Sequence, residues 1–200
     1  MADVDDAVAA IKAGRLAIVP TDTVYGLATT PHREEAVLAL YRAKGRDGRQ
    51  PTAVVAADLE VLGGLLPELP ATAEAIARAL LPGPYTLIVP NPGERFPWLT
   101  GTRPEAIGVR VPAVAGPGRE LLARVGALVA TSANLPGGRD PHMLADVPEE
   151  LRAAAEALLD GGTLPGTPST VIDVTGGEPV VLREGAVAAD AALRAVASVL

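Results

Sequence analysis

Two pairs of residues, each pair spaced by one position, carry the chemistry most easily read from this chain. Lys44 and Arg46 flank Gly45. A helix would point the two cations apart, whereas the extended or turn backbone that glycine favours aims both at one anion. Charge-assisted contacts of this kind to a polyphosphate are worth about 1.5–3 kcal/mol each. The same residues also suit a solvated basic loop, with Asp47 and Arg49 close by. Ser132 and Asn134 alternate in the same way behind the apolar run Ala127–Ala130. Small donors placed there reach phosphate oxygens without blocking the approach, or they close a turn through local hydrogen bonds. No GxxxxGK[ST] loop and no GxGxxG stretch is present, so any phosphate site is built differently from those.

A second group of residues suits a small polar ligand. Pro20-Thr21-Asp22-Thr23-Val24-Tyr25-Gly26 follows the run Leu16–Val19, which predicts a short buried strand opening into a polar loop. Arg110 lies in Gly108-Val109-Arg110-Val111-Pro112. A charge among apolar strand residues is costly unless paired, so it needs a carboxylate, from the protein or from a ligand. Ser169 precedes the apolar stretch Thr170–Val174 and is either a turn serine or a site residue. Arg183 either pairs with its neighbour Glu184 or joins the site. His32 and His142 adjoin prolines in expected loops and are given no role.

Helices and strands must position these groups. Val4, Val8 and Ile11 define an amphipathic first helix stopped by Gly14. Further helices are expected over residues 33–43, 71–81, 117–125, 148–159 and 189–199, with Asp58 capping another. Strands are expected over 16–19, 53–56, 85–89, 107–111, 127–130, 170–174 and 180–182, the last two joined by Thr175-Gly176-Gly177-Glu178 as a hairpin. This alternation indicates an α/β domain with a mixed sheet. Ligands bind at the carboxyl ends of such strands. Thr21 and Ser132 would therefore share one crevice if their strands run parallel and close together. Residues 90–105, rich in proline, glycine and charge, read as a long loop or lid.

Composition narrows the partners. The chain has 200 residues, 48% of them hydrophobic, enough for one domain with one core. It has no cysteine and two histidines, which disfavours thiol nucleophiles, histidine triads and multi-histidine zinc sites. The net charge is −7 and aromatics make up 2%, so wide nucleic-acid binding and base stacking are disfavoured. No run approaches a membrane span. The acidic start Met1-Ala2-Asp3-Val4-Asp5-Asp6 is the wrong sign for a targeting peptide, and a cytoplasmic protein is expected.

Seven fragments together resemble the YrdC family of threonylcarbamoyl-AMP synthases: Pro20-Thr21-Asp22-Thr23-Val24-Tyr25-Gly26-Leu27, Lys44-Gly45-Arg46, Pro82-Gly83-Pro84-Tyr85-Thr86-Leu87, Val109-Arg110-Val111-Pro112, Thr131-Ser132-Ala133-Asn134, Pro168-Ser169-Thr170-Val171 and Leu182-Arg183-Glu184-Gly185. They occur in family order between about residues 5 and 185. The resemblance implies an open α/β fold with a twisted mixed sheet and a large concave site, here as a single catalytic domain. It implies that L-threonine, bicarbonate and ATP are joined to threonylcarbamoyl-adenylate and pyrophosphate. A partner transferase then modifies an anticodon-loop adenosine of tRNA, and makes most of the RNA contact. By the same resemblance Lys44, Arg46, Ser132, Asn134 and Arg183 hold ATP, with Lys44 and Arg46 the catalytic pair. Thr21, Tyr25, Arg110 and Ser169 hold threonine. Mg²⁺ is expected with the ATP, with the phosphates supplying most of its ligands. The family often has leucine after the proline closing the basic loop and histidine three residues later; Thr52 and Val55 stand there. The extra C-terminal domain of some relatives is expected to be absent. The same fragments leave two other readings: a carbamoyl-transfer domain of the hydrogenase-maturation type, and a non-catalytic RNA-binding module.

Overall fold

A computed structural model describes residues 3–46 and 50–199. Asp47, Gly48 and Arg49 of the basic loop lie outside the described residues. The strands are β1 (Ala17–Pro20), β2 (Tyr25–Thr29), β3 (Val54–Ala56), β4 (Tyr85–Pro90), β5 (Ala106–Arg110), β6 (Ala127–Ser132), β7 (Ala157–Leu158), β8 (Thr170–Asp173) and β9 (Val180–Arg183). They form one mixed sheet in the order β7-β1-β2-β6-β3-β5-β4-β8-β9. The helices are α1 (Val4–Lys12), α2 (Glu34–Lys44), α3 (Leu59–Leu65), α4 (Ala71–Leu80), α5 (Gly116–Val125), α6 (Glu149–Ala154) and α7 (Ala189–Ala197).

Side chains alternate across a strand, and this divides the core. Ile18, Leu27, Val54, Leu87, Val109, Val129 and Ile172 face one side, under α2, α3, α4, α6 and α7. Ala17, Val19, Ala28, Val55 and Leu128 face the other, where only α1 and α5 cover them. Those two helices pack against each other and reach only the β7-to-β3 half of the sheet. The same face of β5, β4 and β8 is left open, and it carries Gly108, Arg110, Thr86, Ile88 and Val171. The concave site is this uncovered half-face.

Two expectations change. Residues 25–29 are a strand, not part of a polar loop: β2 is buried along its whole length, so it lacks the alternation that marks a strand. β2 pairs antiparallel with both β1 and β6, so β1 and β6 run in the same direction with β2 between them. Gly26 opposite Ser132 still brings the two loops together. The helix expected over 148–159 ends at Ala154, and Ala157–Leu158 pairs parallel with β1. The long loop expected over 90–105 is present over 91–105, and it is pinned. Asn91 Nδ2 donates to the carbonyls of Arg95 and Pro104, and Trp98 Nε1 to that of Pro31.

Candidate active site

The position of each basic residue follows from how α2 ends. Gly45 adopts φ +66°, its N–H bonding to Arg42 O and that of Arg46 to Tyr41 O. This is the glycine-dependent Schellman termination. It leaves Lys44 on the last helical turn and turns Arg46 off the helix, with the two cations still near enough for Arg46 to act on the Lys44 charge. Lys44, only 5% exposed, donates to Ser132 O at 2.6 Å and also to Asn134 O and Oδ1. Its ammonium ties the Ser132–Asn134 loop together. Burial, with Arg46 adding to it, lowers the Lys44 pKa to about 8, against an opposing pull from Asp140. The loop closes further through Ser132 Oγ donating to Asn134 Oδ1 at 2.8 Å and Asn134 Nδ2 donating to Gly138 O at 2.7 Å.

Arg46 faces the cleft. Its fork is held by Gln50 Oε1 at 3.0 Å, Thr131 Oγ1 at 3.0 Å and Pro51 O at 3.2 Å. Burial shifts its pKa downward, but a guanidinium stays charged. Lys44 thus bonds the Ser132–Asn134 loop directly across more than 80 residues of sequence, and Arg46 bonds Thr131, the residue just before that loop.

The other expected residues divide into cleft and scaffold. Arg110 lines the floor and pairs with Asp22 Oδ1 at 2.7 Å, so its first carboxylate comes from the protein. Ser169 is buried, 2.8 Å from Thr86 Oγ1. Arg183 crosses above it and donates to Ser169 O at 2.8 Å, instead of pairing with Glu184. A side chain at Gly185 would run into the carbonyl of Pro168, so this close approach seats Arg183. Thr21 does not line the cleft. Its hydroxyl donates to Val24 O at 2.8 Å and accepts the Thr23 and Val24 N–H groups, which fixes the turn that presents Thr23.

Tyr25 is a correction to the pocket expectation. It is 0% exposed on the opposite face of the sheet, within the larger core. Its hydroxyl lies 2.7 Å from Gly162 O and 2.9 Å from Asp160 Oδ1, and accepts the Gly161 N–H at 2.9 Å. Burial pushes the phenol up to about 12. Tyr25→Phe should therefore cost about 1–3 kcal/mol of stability, the range for leaving a buried donor unpaired. Substrate KM values should stay at wild-type level; urea unfolding and steady-state kinetics read the two effects separately.

The assembled cleft holds about 490 Å³. Arg46, Arg103, Arg110 and Arg183 line it together with six threonines and two serines, and among the described residues no carboxylate lines it. Thr23, Thr86, Thr131 and Arg103 were not singled out in the sequence. Thr86 and Thr131 belong to quoted fragments, but their facing is set by strand register. Arg103 is already paired with two carboxylates, Asp173 at 2.8 Å and Glu105 at 3.2 Å. Val55, at the family's histidine position, is buried in the smaller core beside Leu128, while Thr52 lines the cleft.

Fixed cations and hydroxyls around a half-open sheet define a protein that holds a polyanion beside a small polar molecule. The family profile of Sua5, YciO and YrdC, described as "Telomere recombination", matches residues 9–185, and the chain belongs to that family. A threonylcarbamoyl-AMP synthase of Pyrococcus abyssi is 38% identical over 178 residues, covering 88% of this chain and 52% of that one. This chain thus spans about half of that relative's length. The Chromohalobacter salexigens protein of the same name is 38% identical over 182 residues, covering 86% and 93%. The crystal structure of P. abyssi Sua5 complexed with L-threonine superposes with a TM-score of 0.88 at 33% identity, covering 98% of this chain and 58% of that one.

Proposed function

We propose that the chain is an L-threonylcarbamoyladenylate synthase, consuming L-threonine, bicarbonate and ATP and releasing pyrophosphate. The observation that carries this reading is a cleft lined, among the described residues, by four arginines and no carboxylate, in a chain whose net charge is −7. The threonine amine attacks bicarbonate and water leaves, giving an N-carboxylate. A carboxylate oxygen then attacks the α-phosphorus, and pyrophosphate departs. Two anions must meet, so fixed positive charge and positioning supply the catalysis, with no covalent nucleophile needed.

Arg46, the Lys44-braced Ser132–Asn134 loop and Arg183 take the nucleotide phosphates. Arg110, Ser169 and the Thr21–Thr23 turn take threonine. The described residues do not fit a protein-held magnesium site. Among them the cleft lining offers no carboxylate, and Asp22 beside it is bonded at both oxygens. A divalent ion would arrive on the nucleotide's own phosphates. The product would pass to a transferase acting on tRNA, in the cytoplasm; among the described residues no helix is long and apolar enough to cross a membrane.

The test is pyrophosphate release from ATP with threonine and bicarbonate omitted in turn. Release that requires both is expected. Release that ignores either, or turnover of carbamoyl phosphate, would overturn the assignment.

A further inference from the structure

Asp22 is a buried carboxylate for which the reaction above has no direct use. Its side chain is 7% exposed and is absent from the cleft lining, so it does not touch a ligand there. Both of its oxygens are engaged. Oδ1 accepts from Arg110 Nη2 at 2.7 Å, and Oδ2 accepts the Ala113 N–H at 3.1 Å. Ala113 lies three residues past Arg110, so one carboxylate grips both the guanidinium and the backbone leaving β5. Arg110 Nη2 also reaches Thr23 Oγ1 at 3.3 Å, while its Nε is buried without a partner. Arg183 stands close enough to oppose the Arg110 charge. Without Asp22, the 3.3 Å contact to Thr23 Oγ1 would be what remains to orient the Arg110 fork against the opposing Arg183 charge.

We propose that Asp22 is the positioning residue for Arg110, holding the guanidinium on the cleft floor in the one orientation that receives the substrate's carboxylate. Bidentate recognition of a carboxylate depends on the plane of the guanidinium. The two contacts on Nη2, to Asp22 and Thr23, orient that plane and leave Nη1 for the ligand. The pairing also explains why a threonine–aspartate–threonine turn precedes β2. Thr21 shapes the turn, Asp22 reaches across to β5, and Thr23 faces the cleft.

This inference rests on reading the cleft as an amino-acid site, and wild-type protein separates the two. No threonine-dependent pyrophosphate release by wild type would defeat that reading, whereas the results below bear on Asp22 alone. Pyrophosphate release is measured for Asp22→Asn, Arg110→Ala and the double variant. Asp22→Asn should raise the threonine KM about tenfold or more and leave the ATP KM within about twofold, a split that general destabilisation does not produce. Because Asp22 acts through Arg110, adding Asp22→Asn to Arg110→Ala should change the threonine KM by less than about twofold. An unchanged threonine KM in Asp22→Asn, equal losses for both substrates, or multiplying effects in the double variant would each overturn the proposal. Should circular dichroism show Asp22→Asn unfolded, Asp22→Glu decides in its place. It keeps the charge but displaces it by one methylene. The same selective rise is expected, and an unchanged threonine KM overturns the proposal.

Discussion

Arg46→Ala is expected to lower turnover on the order of 10²-fold, the scale for removing one preorganised electrostatic contact. The expectation comes from how the guanidinium is held. Gln50, Pro51 and Thr131 fix three of its nitrogens, and Thr131 lies on β6 one residue before the Lys44-braced loop. The charge is therefore already in place when the phosphates arrive, and little reorganisation is needed during reaction. Alanine removes both the charge and its alignment. Arg46→Lys should recover only part of the loss, because an ammonium is a point charge without the planar fork. Threonine affinity, measured by calorimetry without nucleotide, should be unchanged in both variants, since Arg110 and Ser169 reach the cleft from β5 and from the start of β8. Near-normal turnover in Arg46→Ala would remove the phosphate assignment.

What could be read from the sequence, and what could not, follows from the range of the interactions. The end of α2 was nearly legible, expected at residue 43 and found at Lys44, because glycine termination is local. The hairpin of β8 and β9 was legible for the same reason. β2 was not. Its residues are buried on both faces, and the polar turn before it masks the strand. The consequence of Gly45 was legible in part: an extended or turn backbone was expected, and the structure has the turn, at the end of a helix. The Asp22–Arg110 pair spans 88 positions, so residue type alone left open whether the partner was protein or ligand. Tyr25 was drawn into the pocket by its neighbours in the motif. Strand alternation along β2 instead puts it on the same face as Leu27, in the core.

Lys44 gives the second large effect, and it has a pH signature. Lys44→Met should lower kcat/KM for ATP on the order of 10²-fold, because the loss is double. The positive charge goes, and the carbonyls of Ser132 and Asn134 lose the donor that draws them together. In the wild type the same loss should occur gradually with alkali. The Lys44 pKa is lowered to about 8 by burial and by Arg46, so at pH 9 roughly a tenth of the free protein keeps the charge. Since kcat/KM reports groups in the free enzyme, its ATP profile should fall above pH 8, and the Lys44→Met profile should lack that limb. Stability should move the opposite way. The folded pKa lies below the value of 10.5 for an unperturbed lysine, so between pH 8 and 10.5 the unfolded chain binds more protons than the folded one. The contribution of Lys44 to stability therefore rises with pH across that window, as the cost of burying its charge is relieved. Urea midpoints of wild type and Lys44→Met, compared at pH 7 and pH 10, would test this. The stability advantage of Lys44→Met should shrink, or its deficit grow, at the higher pH. A wild-type ATP profile that stays flat to pH 9.5 would mean that the ammonium under the Ser132–Asn134 loop contributes nothing to nucleotide capture.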